Sequence, residues 1–285
     1  MNPALAALLF GAACIALSPI FVRLSEAGPT ATAFWRVALA VPVLWLLVVF
    51  ERKSTSEDPS SQKLPLLAAG LAFAGDLGFW HWSVQLTSVA NSTLLANLAS
   101  IFVTMVMWLA WKQRPSGTFL AGLGLALLGV AMLVRTSVDF APTGILGDAF
   151  GVVTAMFYAW YILAVKGLRD RGMATLRVMA IVSTISAVIL FPVALASGEK
   201  MLPDSAYGWW ILLGLALVSH AAGQGLIAYA LAHLPAAFSS VGLLLQPVLA
   251  AGYAWFLLAE PVVPLQIAGG FVVLAGIYLA RRGSN

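Results

Sequence analysis

Long apolar runs, broken at short intervals by charge clusters and Pro/Gly signals, dominate this chain. Ten can be marked, at 3–24, 30–50, 64–84, 89–111, 117–135, 145–167, 174–196, 208–231, 236–258 and 264–281. Each is close to the roughly 20 residues that cross a bilayer core. Their apolar positions are continuous and do not alternate with a period of two, which argues against a transmembrane barrel. Helices are predicted instead, because lipid offers the backbone no hydrogen-bond partner. The breaks have local causes: Gly28-Pro29 stops the first run, Pro115-Ser116-Gly117 separates the fourth from the fifth, and Glu260-Pro261 closes the ninth. The longest polar stretch lies between Glu51 and Lys63.

Composition turns these runs from buried core helices into membrane spans. Charged residues make up 9% of the chain and hydrophobic ones 61%, whereas a soluble domain carries about 25% charged residues. Ten spans nearly exhaust 285 residues, leaving no room for a soluble domain. The first run begins with no basic residue before Arg23, so it reads as a retained span and not as a secretory signal. Cys14 is the single cysteine, which excludes an intrachain disulfide and a multi-cysteine metal site. A net charge of +4 would suit a nucleic-acid partner, but the basic residues sit at the ends of the runs, where membrane topology explains them. Arg52, Lys53, Lys63, Lys112, Arg114, Lys166, Arg169, Arg171, Arg177, Arg281 and Arg282 fall on one side; Arg23, Arg135 and Lys200 fall on the other. This bias places both termini in the cytoplasm of a bacterial-type inner membrane, and an even number of spans requires them to share a side.

The chain also resembles itself. An offset of 147 residues pairs runs three to five with runs eight to ten, matching Ala90/Ala237, Ser92/Ser239, Leu98/Leu245, Trp108/Trp255, Gly122/Gly269, Leu127/Leu274, Gly129/Gly276 and Arg135/Arg282. The implied units are residues 1–140 and 141–285, with five helices each. An odd number of spans makes the second unit enter the membrane inverted. Inverted repeats are the architecture of many secondary transporters, with substrate held at the repeat interface. The expected fold class is therefore an all-α membrane protein of ten transmembrane helices in two inverted five-helix repeats.

Polar groups inside spans are costly and usually face the bundle interior. Asp76 lies well inside the third run, with Trp80 one turn on and His81 beside it. His220 and Gln224 stand at i and i+4 in the eighth run, hence on one helical face. The 147 offset sets them against Phe73 and Leu77, and sets Asp76 against Gly223. Asn97 and Gln246 are in-span amides, and Pro247 releases a backbone carbonyl next to Gln246. Trp160 and Tyr161, more than Tyr158, are candidates to hold an apolar or aromatic group. Arg36 is expected to snorkel or tie down loop carbonyls. The paired glycines are expected at close helix contacts. A histidine–glutamine pair is a poor metal site, and no Gly-rich phosphate loop, HExxH or GxSxG stands in the sequence. No cofactor or metal is implied, and the oligomeric state cannot be read.

Phe34-Trp35-Arg36, Leu244-Leu245-Gln246-Pro247, Leu257-Leu258-Ala259-Glu260-Pro261 and Gln266-Ile267-Ala268-Gly269-Gly270 with Leu274-Ala275-Gly276 resemble the drug/metabolite transporter superfamily, EamA type. In the first half Ser100 stands opposite Pro247 and Gln113 opposite Glu260. Within the superfamily the chain looks most like YddG-type exporters of aromatic and related amino acids. The resemblance implies export of small metabolites by alternating access, with lipophilic cations or nucleosides as alternative cargo. It implies a carrier and no enzyme, although a membrane-embedded enzyme is the rival class. Substrate would meet Asp76, Trp80, His81, Asn97, Trp160, Tyr161, His220, Gln224 and Gln246. Proton coupling through Asp76 or His220 and simple downhill movement are both compatible with these residues.

Overall fold

The computed structural model describes residues 2–50, 62–87, 89–134, 144–258 and 262–284. Arg52, Lys53, Arg135, Glu260 and Pro261, which entered the sequence reading, lie outside them. Among the described residues every regular element is helical. In chain order these are α1 (Pro3–Leu24), α2 (Pro29–Phe50), α3 (Lys63–Leu86), α4 (Ser92–Leu109), α5 (Gly117–Val134), α6 (Gly144–Asp170), α7 (Thr175–Ala196), α8 (Ala206–Leu231), α9 (Ala236–Leu257) and α10 (Pro264–Gly283). All but α3 and α5 are long and apolar enough to cross a membrane, which makes eight such helices among the described residues. α3 gives up apolar positions to Asp76, His81, Ser83 and Gln85, and α5 is apolar but shorter. The chain is a multi-pass helical membrane protein.

Several helices are interrupted near mid-length. α1 breaks at Leu17, two residues before Pro19; α2 breaks at Leu39, three before Pro42; α9 breaks at Leu243–Leu244, ahead of Pro247. A proline lacks the N–H that would reach back four residues, and its ring crowds that carbonyl. α4 breaks at Asn97–Leu98 without a proline. There the Asn97 amide donates to the Thr93 carbonyl (2.7 Å) and the Ser100 hydroxyl to the Asn97 carbonyl (3.0 Å). Polar side chains competing for backbone carbonyls loosen the helical ladder, so α4 turns at nearly the same level as α9 by different chemistry. In α8, residues Leu215–Gln224 adopt the wider π-helix, a form often found at functional positions.

The helices pair in a regular manner. α5 lies along α10, α3 along α6, α1 along α8, and α2 against α7, while α4 meets α6 and α1 meets α9. The α5–α10 contact is built on glycine. A Cβ on Gly129 would sit 2.7 Å from the Gly269 carbonyl oxygen, and one on Gly269 would sit 2.8 Å from the Gly129 carbonyl oxygen. Gly122 is equally tight against Gly276 and Ala280, Gly276 against Ala126, and Gly269 against Leu133. Rising numbers on α5 meet falling numbers on α10, so the two helices are antiparallel. Adding 147 to the α5 residue and subtracting 147 from the α10 residue converts the contact of Gly122 with Ala280 into that of Gly269 with Leu133. It likewise converts the contact of Ala126 with Gly276 into that of Val273 with Gly129. The expectation that these glycines mark close helix contacts is met. Phe73 and His220, also 147 apart, stack with ring centroids 5.2 Å apart.

At one end of the bundle, the α1–α2 and α7–α8 loops exchange glutamates. Glu199 accepts from the Thr30 amide (2.8 Å) and hydroxyl (2.9 Å) at the start of α2. Glu26 accepts from the Asp204 and Ser205 amides (2.8 and 3.0 Å) and the Ser205 hydroxyl (2.6 Å) at the start of α8. Carboxylates at helix N-termini satisfy orphan N–H donors and meet the positive end of the helix dipole. The Ser205 hydroxyl, first among these partners, helps to hold the Glu26 carboxyl below its ordinary pKa.

Candidate functional site

Midway along the bundle, interruption and packing leave a cavity of about 100 Å3 with polar groups in its wall. The break in α1 brings Ser18 and Pro19 to its wall, and the breaks in α4 and α9 bring Asn97, Gln246 and Pro247. α3 contributes Asp76, Leu77 and Trp80, α6 contributes Thr154 and Tyr158, α8 contributes Gln224, and α2 contributes Arg36. The Tyr158 hydroxyl interacts with the Gln224 and Gln246 side chains. Arg36 Nε, Gln224 Oε1 and Gln246 Nε2 are buried without a hydrogen-bond partner. Buried polar groups in native structures are normally satisfied, so these three in one wall make the cavity a candidate site.

Five of the residues singled out from the sequence meet in this cavity: Asp76, Trp80, Asn97, Gln224 and Gln246. The other four do not line it. His81 is fully buried, and its Nδ1 hydrogen-bonds the Leu77 carbonyl at 2.7 Å within its own helix. Tyr161 is buried beside the cavity, 4.6 Å from the Phe73 ring, and its hydroxyl donates to Met179 Sδ. His220 packs in the same dry cluster, with Nε2 2.7 Å from Ser183 Oγ. His220 and Gln224, at positions i and i+4, differ in what they touch: Gln224 reaches the cavity wall, whereas His220 meets Ser183 and Phe73. Trp160 is 42% exposed on the outside of α6 and stacks on Phe157. Two positions along a helix is more than half a turn, so Trp160 and Tyr158 cannot share a face. The carbonyl released by Pro247, that of Leu243, accepts from the Gln246 backbone N–H at 2.9 Å, and Leu243 does not line the cavity.

Arg36 corrects a further expectation. It is 3% exposed and neither snorkels nor braces a loop; it lies in the cavity wall, where it and Asp76 attract each other. An isolated charge at a helix centre costs about 2.5–3.5 kcal/mol on insertion scales, and each group offsets part of the other's cost. Arg36 and Tyr158 thus join the cavity wall, although neither was among the residues expected to meet substrate. Tyr158 carried a signal, since Thr154 and Tyr158 form a polar i, i+4 stripe in the apolar middle of α6.

A second cleft, about 590 Å3, runs between α3, α6 and α7. Phe79, Phe150, Phe157, Leu190 and Val193 line it, and two polar groups at its wall, the Trp82 indole N–H and the Thr30 hydroxyl, are bonded to each other at 3.1 Å. It suits acyl chains and no polar solute. Among the described residues no cluster of three or more metal-ligating side chains occurs.

A small cavity with opposite charges, amides and a phenol, enclosed by lipid-facing helices, is the arrangement of a membrane carrier for small molecules. The chain belongs to the EamA-like transporter family, whose profile matches residues 2–135 and again 145–282. It is 28% identical over 270 residues to an uncharacterized transporter of Archaeoglobus fulgidus, covering 91% of each chain. It is 24% identical to a probable amino-acid metabolite efflux pump of Salmonella typhimurium, over 82% of each chain. It is 26% identical to a probable terminal-alkyne amino-acid exporter of Streptantibioticus cattleyicolor, over 79% of this chain and 75% of that one. A solved crystal structure shares the fold with a TM-score of 0.80 and 15% identity, over 99% of this chain and 96% of the other.

Proposed function

We propose that the chain is a secondary exporter of amino acids or similarly amphipathic metabolites, working by alternating access between two oppositely inserted units, residues 1–140 and 141–285. The observation that carries this reading is the cavity, where groups able to bind an ammonium, a carboxylate and an apolar side chain converge in a bundle with a largely apolar core. The antiparallel α5–α10 contact, with its glycines exchanged by the 147 offset, supports the inverted arrangement. The two successive family matches support the unit boundaries. Relatives named as amino-acid exporters support the cargo class.

Asp76, Asn97 and Gln246 serve as polar contacts and Trp80 as the apolar floor. His81, Tyr161 and His220 act from behind as packing, and Trp160 faces lipid. Both termini lie in the cytoplasm. A proton coupled through Asp76 is compatible with this site, as is downhill export.

Reconstitution in liposomes tests the proposal, with labelled amino acids, nucleosides and quaternary cations offered as uptake and counterflow substrates. Amino acids are expected to exchange. Movement of quaternary cations alone would sink the amino-acid reading. Turnover of a lipid substrate with no solute movement would favour a membrane enzyme.

A further inference from the structure

We propose that Arg36 and Asp76 form a divided charge receptor that selects net-neutral zwitterions, with the guanidinium taking the carboxylate of the cargo and the Asp76 carboxylate taking its ammonium. The inference rests on the amino-acid reading above and adds the residue and the rule that set its specificity.

Charged side chains are rarely buried unless paired. Among the buried described residues, Arg36 and Asp76 carry the only formal charges besides the histidines, at 3% and 8% exposure. A simple structural ion pair would join the guanidinium fork to the carboxylate directly. These groups do not do so. They attract each other from α2 and α3 in the wall of the cavity that both line, and Arg36 Nε is buried with no partner. The remaining polar wall, which includes Asn97, Tyr158, Gln224 and Gln246, is neutral. Two opposite charges held apart, each with hydrogen-bonding capacity left over, are complementary to a ligand that carries both charges a few ångströms apart. The α-ammonium and α-carboxylate of an amino acid have that spacing.

A monocation meets Asp76 but brings a like charge to Arg36, and a monoanion does the reverse. Repulsion of like charges therefore rejects both, whichever attraction they gain. The charge balance has a second consequence. The site is neutral when empty and neutral with a zwitterion bound, so neither crossing carries net charge through the membrane field.

Proteoliposome counterflow of a labelled amino acid provides the test, with three unlabelled competitors: the parent amino acid, its carboxamide and its N-acetyl derivative. The carboxamide and the N-acetyl compound are expected to compete at least about tenfold more weakly than the parent, the loss from one charge-assisted hydrogen bond. Exchange of the parent is expected to be unchanged by an imposed potential of about 100 mV. Arg36→Gln is expected to narrow the gap for the carboxamide, and Asp76→Asn the gap for the N-acetyl compound. Because either variant can fail to fold, the wild-type competition series and the potential test stand without them. If amino acids exchange but the carboxamide or the N-acetyl compound competes as well as the parent, or if exchange follows the potential, the divided receptor is overturned and the exporter stands. If no amino acid exchanges, the exporter reading falls and takes the receptor with it.

Discussion

Replacing Gly276 by leucine asks how far the α5–α10 contact can open. A Cβ at Gly276 already falls 2.7 Å from both Cα and Cβ of Ala126, against an optimum near 3.5–4.0 Å for carbon pairs. The helices must therefore separate by about 1 Å, and a gap of that size forfeits about a quarter to a half of each facing dispersion contact. Overpacking typically costs about 1–3 kcal/mol. The obstacle here is backbone and Cβ, which no rotamer change can move, so about 3 kcal/mol is expected. Gly129, which occupies the equivalent place against Val273 and Gly269, should cost a similar amount. The double variant should cost clearly less than the sum, because the first leucine opens the gap that the second needs. Gly124 on α5 has nothing within 4 Å of its would-be Cβ. Gly124→Leu should thus be neutral or stabilising by up to about 1 kcal/mol through helix propensity. Unfolding of the purified protein by SDS in mixed micelles measures all four variants. Strict additivity, or an equal cost at Gly124, would refute the reasoning that a symmetric glycine contact limits helix approach.

Trp160→Ala should leave transport unchanged, since the indole lies on the outer surface of α6 and away from the cavity; a loss of exchange in liposomes would place it at the substrate. Ser183→Ala should cost about 1–3 kcal/mol, the penalty for an unsatisfied buried group, because His220 Nδ1 already lacks a partner and Nε2 would lose its own. An unchanged thermal midpoint would refute that. The pH dependence of Glu26 follows from the sign of its shift. Its native pKa lies below the ordinary value of about 4.3, so its contribution is full above that value and is lost as pH falls through the native one. Thermal midpoints should fall across that acidic window in the native protein and fall less in Glu26→Gln; parallel curves would show that the carboxylate does not matter.

What the sequence determined by itself is set by the solvent. Lipid forces every backbone group to be satisfied locally, so apolar runs become helices wherever they occur. The boundaries predicted at 3–24 and 174–196 match Pro3–Leu24 and Thr175–Ala196 because charge and Pro/Gly signals end them locally. The glycine pairs were legible for a related reason, since a missing side chain at matched positions has one obvious use. Asp76, Trp80, Asn97, Gln224 and Gln246 were legible as polar groups where polarity is costly.

Which of the polar groups face one another was decided only in three dimensions. Arg36 looks like a snorkelling residue by position, and packing against α3 brings it to the cavity instead. Gln224 and His220 lie four positions apart on α8, and packing puts Gln224 in the cavity wall while His220 stacks on Phe73. Trp160 and Tyr158 differ by two positions, and the orientation of α6, set by its packing on α3 and α4, sends one to lipid and the other to the cavity. Local chemistry fixes where a helix starts, bends and stops, because those choices depend on neighbours in the chain. Rotation of a helix about its axis depends on contacts with residues far away in sequence, and an almost uniformly apolar helix carries little pattern to reveal it.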